Sequence, residues 1–369
     1  MFGIKELVDY CGKVNKDRKK EGLEPFKPII GCEMYVARRT KGDREKDKGD
    51  MSGYHLIVLA KNYNGYKNLI KLVSNSWVDG YYMRPRTDRA DLEKYHEDLI
   101  VCSACIAGEV PAKILKGDIA GAREACEWYH NLFGDDYYLE LQRHKVPDDP
   151  SLLANREAYE LQQKANKVLI EFAREYGIKL VCTNDCHFED KETAEAHDHL
   201  LCIATGKDLD DPNRMRYSKQ EWFKTREEMN EVFADVPEAL SNTLEVLDKV
   251  EIYSIDHGPI MPFFPIPESF GTEEQLRQKV SEEDLYREFT TDENGQNQLS
   301  PEEGQKVIDR LGGYDKIYRI KFEAEYLRHL AYEGARKLYG DPLPENVDEH
   351  VNFELHVMKT MGFPGYFLI

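Results

Sequence analysis

The chain has 369 residues, 41% of them hydrophobic, which supplies enough apolar material for one large domain and a smaller one. Its 69 acidic and 50 basic residues leave a net charge of −19, which excludes a module that grips duplex DNA mainly by neutralising phosphates. No run approaches the roughly 18 apolar residues of a membrane span, the start is no secretory signal, and the eight cysteines are scattered through apolar segments, so a cytoplasmic protein without a membrane partner is expected.

The chain opens on a helical pattern with Phe2, Leu7, Val8 and Cys11 on one face. Strand-like runs follow at 28–37, 54–61, 99–103, 137–142 and 179–183, and helical periodicity fills the intervals at about 66–78, 120–133, 152–176 and 191–205. This alternation predicts an α/β fold with parallel strands, although five strands do not close a barrel by themselves. Beyond Gly206 the strand signals stop, and helices are expected at about 226–233 and 237–250. Repeated prolines from 258 to 267 exclude helix and read as an extended connector at 258–271, dividing a first domain, 1–257, from a second, 272–369. In the second part, 290–301 reads as a flexible polar stretch, and 314–339 and 347–361 read as the last helices. The terminal apolar run 365–369 carries no stop signal, so the chain is expected to be cut inside an element.

Residues able to carry chemistry gather at strand ends. Asp185 and His187, just past the last strand, are two apart, so in an extended segment both side chains point one way and can converge on a metal ion while Cys186 faces the other; a hydrogen-bonded pair without metal fits the same pattern. Glu33 lies opposite the apolar face made by Ile30, Cys32, Met34 and Val36, where a carboxylate in a covered sheet needs an ion or a partner, or else an exposed edge. His55 opens a run of apolar residues and reads as a satisfied core histidine or a ligand. Cys105 closes the run from Leu99, and its C-x-x-C spacing with Cys102 is weak support for a zinc site without a second pair. His144 reads as a solvated loop residue or a residue on the rim. Phosphate loops of the G-x-x-x-x-G-K-[ST] type, G-x-G-x-x-G helix openings and G-x-S-x-G elbows are absent from the sequence.

At these residues the sequence resembles the bacterial DNA polymerase III alpha subunits, nearly end to end. Lys27-Pro28-Ile29-Ile30-Gly31-Cys32-Glu33-Met34-Tyr35-Val36, Tyr54-His55-Leu56-Ile57-Val58-Leu59-Ala60-Lys61-Asn62, Ser103-Ala104-Cys105 and Thr183-Asn184-Asp185-Cys186-His187-Phe188 are similar to that family's metal-ligand motifs, with Ala104 standing where the family has glycine. Asn242-Thr243-Leu244-Glu245, Glu325-Tyr326-Leu327-Arg328 and the stretch from Met361 to Ile369 resemble its thumb and the entry to its palm. The resemblance implies a PHP domain at 1–257, a distorted seven-stranded (β/α) barrel to about 206 with a helical extension, here lacking its first strands. A mainly helical thumb and start of palm would follow at 272–369, with an insertion at 284–322.

It further implies zinc or manganese held by Glu33, His55, Cys105, Asp185 and His187, in a site that serves as a 3′–5′ exonuclease or as a structural support. The family's His-x-His strand would precede Met1, leaving the ligand set incomplete, and the polymerase's catalytic aspartates would follow Ile369. For the whole protein the implied activity is DNA-directed DNA polymerisation in replication, with magnesium, primer-template DNA, deoxynucleoside triphosphates and other replisome subunits. This chain alone would not polymerise. A free-standing PHP phosphoesterase and a non-catalytic scaffold are the alternatives.

Overall fold

The computed structural model describes residues 3–147, 156–258, 262–292, 296 and 299–369. Contacts divide the chain into two units, Met1–Asp256 and His257–Ile369.

The first unit begins with α1 (Ile4–Lys20), whose last turn carries Arg18, Lys19 and Lys20 where cations complement the helix dipole. Next come β1 (Gly31–Ala37) and β2 (Gly53–Ala60), then α2 (Tyr63–Val78), which starts at Asn62 because that side chain accepts the otherwise unpaired N–H groups of Asn64 and Gly65. Two short strands, β3 (Tyr81–Tyr82) and β4 (Arg84–Thr87), lead to α3 (Arg89–Tyr95) and β5 (Leu99–Cys102). The remainder runs α4 (Glu109–Leu115), α5 (Ile119–Phe133), β6 (Tyr137–Gln142), α6 (Glu157–Tyr176), β7 (Lys179–Thr183), α7 (Ala194–Thr205), α8 (Arg226–Val232) and α9 (Pro237–Lys249).

The seven strands form one sheet in the order β3-β4-β1-β2-β5-β6-β7. The expectation of uniformly parallel strands needs correcting. β5, β6 and β7 are parallel, but β2 runs antiparallel to both neighbours, with Tyr35 opposite His55 and Ile57 opposite Cys102. The connection from β1 to β2 holds only a 3-10 turn, Lys46–Lys48, and without a crossover helix the chain returns beside the strand it has just left. β3 and β4 escaped the sequence reading because two and four residues are too few to show periodicity, and because Met83 between them takes a left-handed φ of 61°.

Strand alternation sends Met34, Val36, Leu56, Val58, Val101, Leu139 and Leu141 to one face, where Leu69 and Leu72 of α2, Tyr129 of α5, and Leu169 and Phe172 of α6 cover them. The opposite face carries a smaller cluster, Ile100, Cys102, Tyr138 and Val181, joined by Val246 of α9 and Val250 beyond it. That second, partly open face is where polar side chains collect.

The described residues of the second unit are helical apart from short connections: α10 (Glu273–Lys279), α11 (Glu282–Thr290), α12 (Pro301–Leu311), α13 (Tyr314–Tyr339), α14 (Glu345–Thr360) and α15 (Pro364–Leu368). Thr272 with Gln275, Ser281 with Asp284, and Ser300 with Glu303 form reciprocal capping boxes that start α10, α11 and α12. Leu285, Phe289, Ile308, Leu311, Ile317 and Tyr318 make a buried cluster, so α11, α12 and the start of α13, within 284–322, pack on one another. Of the polar stretch 290–301, residues 293–295 and 297–298 lie outside the described residues, as do 259–261 of the connector, 152–155 at the expected start of α6, and Phe2.

Candidate metal centre

Glu33 sits within β1 and His55 near the start of β2. Antiparallel pairing places His55 opposite Tyr35, diagonally adjacent to Glu33 on the same face, and Glu33 Oε1 lies 2.6 Å from His55 Nδ1. Cys105 approaches from the turn after β5. The His55 N–H donates to the carbonyl of Ala107 at 3.1 Å, docking this turn on β2, and the thiol comes to 3.5 Å from the same Nδ1. The turn requires glycine at 108, where a Cβ would stand 1.9 Å from the Ser103 carbonyl oxygen. Ala104 within it holds a left-handed φ of 60°.

One ligand atom each from Glu33, His55 and Cys105 lies within 4.8 Å of the others. Nδ1 can carry a single proton yet faces both a carboxylate and a sulfur, an arrangement that one cation would satisfy on all three sides. The hydrogen bond to Cys105, followed by that to Glu33, pushes His55 up to about 10. β1 is an inner strand, but β4 pairs with it only at Tyr35 and Val36, so Glu33 is paired on the β2 side alone and its side chain, 45% exposed, is solvated yet directed at His55. Cys102 and Cys105 do not act as a pair, because Cys102 is buried in the apolar cluster around Tyr138.

Asp185 and His187 come together for a different reason from the one expected. β7 ends at Thr183, and Asp185 turns through a left-handed φ of 45°, after which His187 Nε2 lies 3.4 Å from Asp185 Oδ1. Interaction with His187 holds the Asp185 carboxyl below its ordinary range, and Asp185 in turn raises His187. The rings of Tyr217 and His197 pack against His187 at 4.5 and 5.7 Å. A cleft of about 360 Å³ is lined by Glu33, Cys105 and Asp185, together with Glu140, Gln142 and Thr183.

Of three buried polar residues in this region, Glu140 and Glu221 were not singled out from sequence, and His144 was read as a loop or rim residue. Glu140, 4% exposed, accepts from Thr183 Oγ1 and Gln142 Nε2 on one oxygen and has no partner on the other, and burial raises it. Its signal was available: Glu140 and Gln142 put polar groups on one side of an otherwise apolar β6. Glu221, 2% exposed, accepts from Ser218 and Gln220. His144 is 3% exposed, which corrects its reading as a solvated loop or rim residue; Gln162 and the backbone of Asn184 enclose its ring.

Residues 1–144 match the PHP domain, and residues 325–369 match the bacterial DNA polymerase III alpha NTPase domain. Over 97% of its length the chain is 37% identical to the DNA polymerase III subunit alpha of Borreliella burgdorferi, covering 26% of that protein. The same subunit of Thermus aquaticus is 35% identical over 95% of the chain and 28% of its own length, and that of Treponema pallidum 32% over 100% and 25%. Along nearly its whole length the chain is similar to DNA polymerase III alpha subunits. It spans about a quarter of the length of these relatives. Glu33, His55 and Cys105 fall inside the PHP match, whereas Asp185 and His187 lie beyond it. No helix among the described residues is long and apolar enough to cross a membrane.

Proposed function

We propose that this chain is the PHP metal-binding portion of a replicative DNA polymerase, with Glu33, His55, Cys105, Asp185 and His187 as ligands for zinc or manganese. The observation that carries the reading is the approach of carboxylate, imidazole and thiol atoms to within 4.8 Å of one another, with Glu33 and Cys105 lining a cleft. Oxygen, nitrogen and sulfur donors together suit zinc, and the oxygen and nitrogen donors suit manganese. A bound divalent ion would supply Lewis acidity and an activated water for phosphodiester hydrolysis. The chain's own contribution would be to fix the donors: β1 and β2 set Glu33 against His55, the 103–108 turn brings up Cys105, and the 184–187 turn brings Asp185 to the cleft with His187 beside it.

In the whole protein, this portion would either remove mismatched 3′ ends or support the polymerase. The complete enzyme would extend primer-template DNA from deoxynucleoside triphosphates with magnesium, in the cytoplasm, alongside other replisome subunits. The domain reading that accompanies this is a PHP domain to about residue 257 and a thumb and start of palm from 272. Binding of zinc or manganese by the purified chain is expected, falling by at least tenfold in affinity in Glu33→Gln and Cys105→Ser. Affinity unchanged in both variants would discard the ligand assignment. Release of the terminal nucleotide from a 3′-mismatched primer by the metal-loaded complete protein, lost in Glu33→Gln, distinguishes exonuclease from support. Hydrolysis of a small phosphate monoester in its place would favour the free-standing phosphoesterase.

A further inference from the structure

His144 lies just beyond β6 and touches none of the candidate ligands. It is nevertheless 3% exposed and both ring nitrogens are engaged. The Gln162 side chain, itself 4% exposed, accepts the His144 backbone N–H on Oε1 at 2.8 Å, which fixes the orientation of the amide. Its Nε2 therefore donates to His144 Nδ1 at 3.0 Å, so Nδ1 is an acceptor and the ring proton resides on Nε2. That proton points at the carbonyl of Asn184, 3.0 Å away. Glu221 Oε1 also lies 3.4 Å from Nδ1, but it already accepts from the Ser218 N–H and hydroxyl, and burial lowers the affinity of His144 for a second proton, so the neutral ring is the state that fits.

Asn184 is the residue before Asp185. Its side chain donates to the carbonyls of Gln220 and Trp222 at 2.9 and 2.7 Å, and the His187 N–H donates to the Glu221 carbonyl at 2.8 Å. The 218–222 segment thus holds one side of the 184–187 turn, and His144 holds the other through the Asn184 carbonyl. At the centre of this grip Asp185 adopts a φ of 45°, a conformation that an aspartate keeps only when its surroundings impose it.

We infer that His144, fixed as its neutral Nε2–H tautomer by Gln162, is a positioning residue that holds the Asn184–Asp185 backbone in the conformation presenting Asp185 and His187 as metal ligands. The inference rests on the proposed metal reading. Removing the Nε2–H donor frees the Asn184 carbonyl, lets the turn relax away from left-handed φ, and separates the two ligands. Partners of this kind, one step behind the ligands, commonly govern metal affinity by about 10- to 100-fold.

Cobalt(II) titration of the chain, followed by visible absorption and by competition with a chelator, tests it in the wild type, His144→Gln, His144→Met and Asp185→Asn. The amide of the glutamine variant can place an N–H near the position of Nε2, whereas the methionine thioether fills the space without a donor. Wild-type affinity is expected in His144→Gln and a loss of about 10- to 100-fold in His144→Met, approaching that of Asp185→Asn. Equal affinity in His144→Met and the wild type overturns the inference, as does equal loss in both His144 variants. Failure of the wild-type chain to bind cobalt, or wild-type affinity in Asp185→Asn, instead removes the underlying metal reading and this inference with it. Nitrogen-15 histidine spectra of the wild-type chain test it without any variant: a neutral Nε2–H ring at position 144 supports the assignment, and a proton on Nδ1 overturns it.

Discussion

Ala104 shows what one residue contributes to the cysteine turn. It is 2% exposed at a φ of 60°, where the Cβ of an L-residue crowds the adjacent carbonyl at a cost of about 1–2 kcal/mol. Ala104→Gly removes that crowding while freeing the unfolded chain by about 0.4–1 kcal/mol. A net stabilisation on the order of 0.5–1 kcal/mol is therefore expected, read as a higher urea midpoint at unchanged slope. A lower midpoint would show that the methyl group packs better than the backbone suffers. The family resemblance marks this position as one where glycine is usual, but only the dihedral angle supplies the reason. Candidate ligands were legible in the same way: Glu33, His55, Cys105, Asp185 and His187 were visible as polar residues at or within apolar runs. His144 was not legible, because its burial depends on Gln162 from α6 and on the Asn184 backbone, neither of which is near it in sequence.

Among the elements, α9 is tied to the sheet by a carboxylate. Glu245 accepts from Lys179 of β7 and from the Tyr138 hydroxyl of β6, each at 2.7 Å, and Lys179 leads the interactions that lower it to about 2. A carboxyl depressed in the folded state stabilises it fully above the unfolded value of about 4.5 and loses that contribution as pH falls toward 2. Since Glu245 is partly solvated, the effect is moderated by screening. Thermal melts of the wild type are expected to decline between pH 4.5 and 2 more steeply than those of Glu245→Gln, and parallel curves would exclude this tie as a contributor. The five longer strands and the longer helices were legible because each spans enough residues to display its period. Strand direction was not, since it depends on what fills a connection, and the 38–52 link resembles a long crossover until its single 3-10 turn is seen. Polar helices were expected beyond the connector, but the bounds of α10, α11 and α12 were not read although capping boxes mark their starts, because their interiors are short, polar and weakly periodic.

For the molecule as a whole, the charge of −19 is the wrong sign for gripping phosphates and suits a cleft that attracts cations. The reversal of β2 bears on the order in which that cleft is assembled. Glu33 and His55 meet across an antiparallel ladder with a modest connection, so closing that loop loses little entropy, whereas the parallel β5-β6-β7 pairings wait on long crossovers. Pulse-labelled hydrogen exchange during refolding is expected to protect the β1–β2 amides before those of β6 and β7, and the opposite order would exclude local closure as the starting event. Until the 103–108 turn docks on β2, the early pair offers an ion only a carboxylate and an imidazole. On the proposed metal reading tight capture would then come last, and metal occupancy would report whether a newly made chain has finished folding.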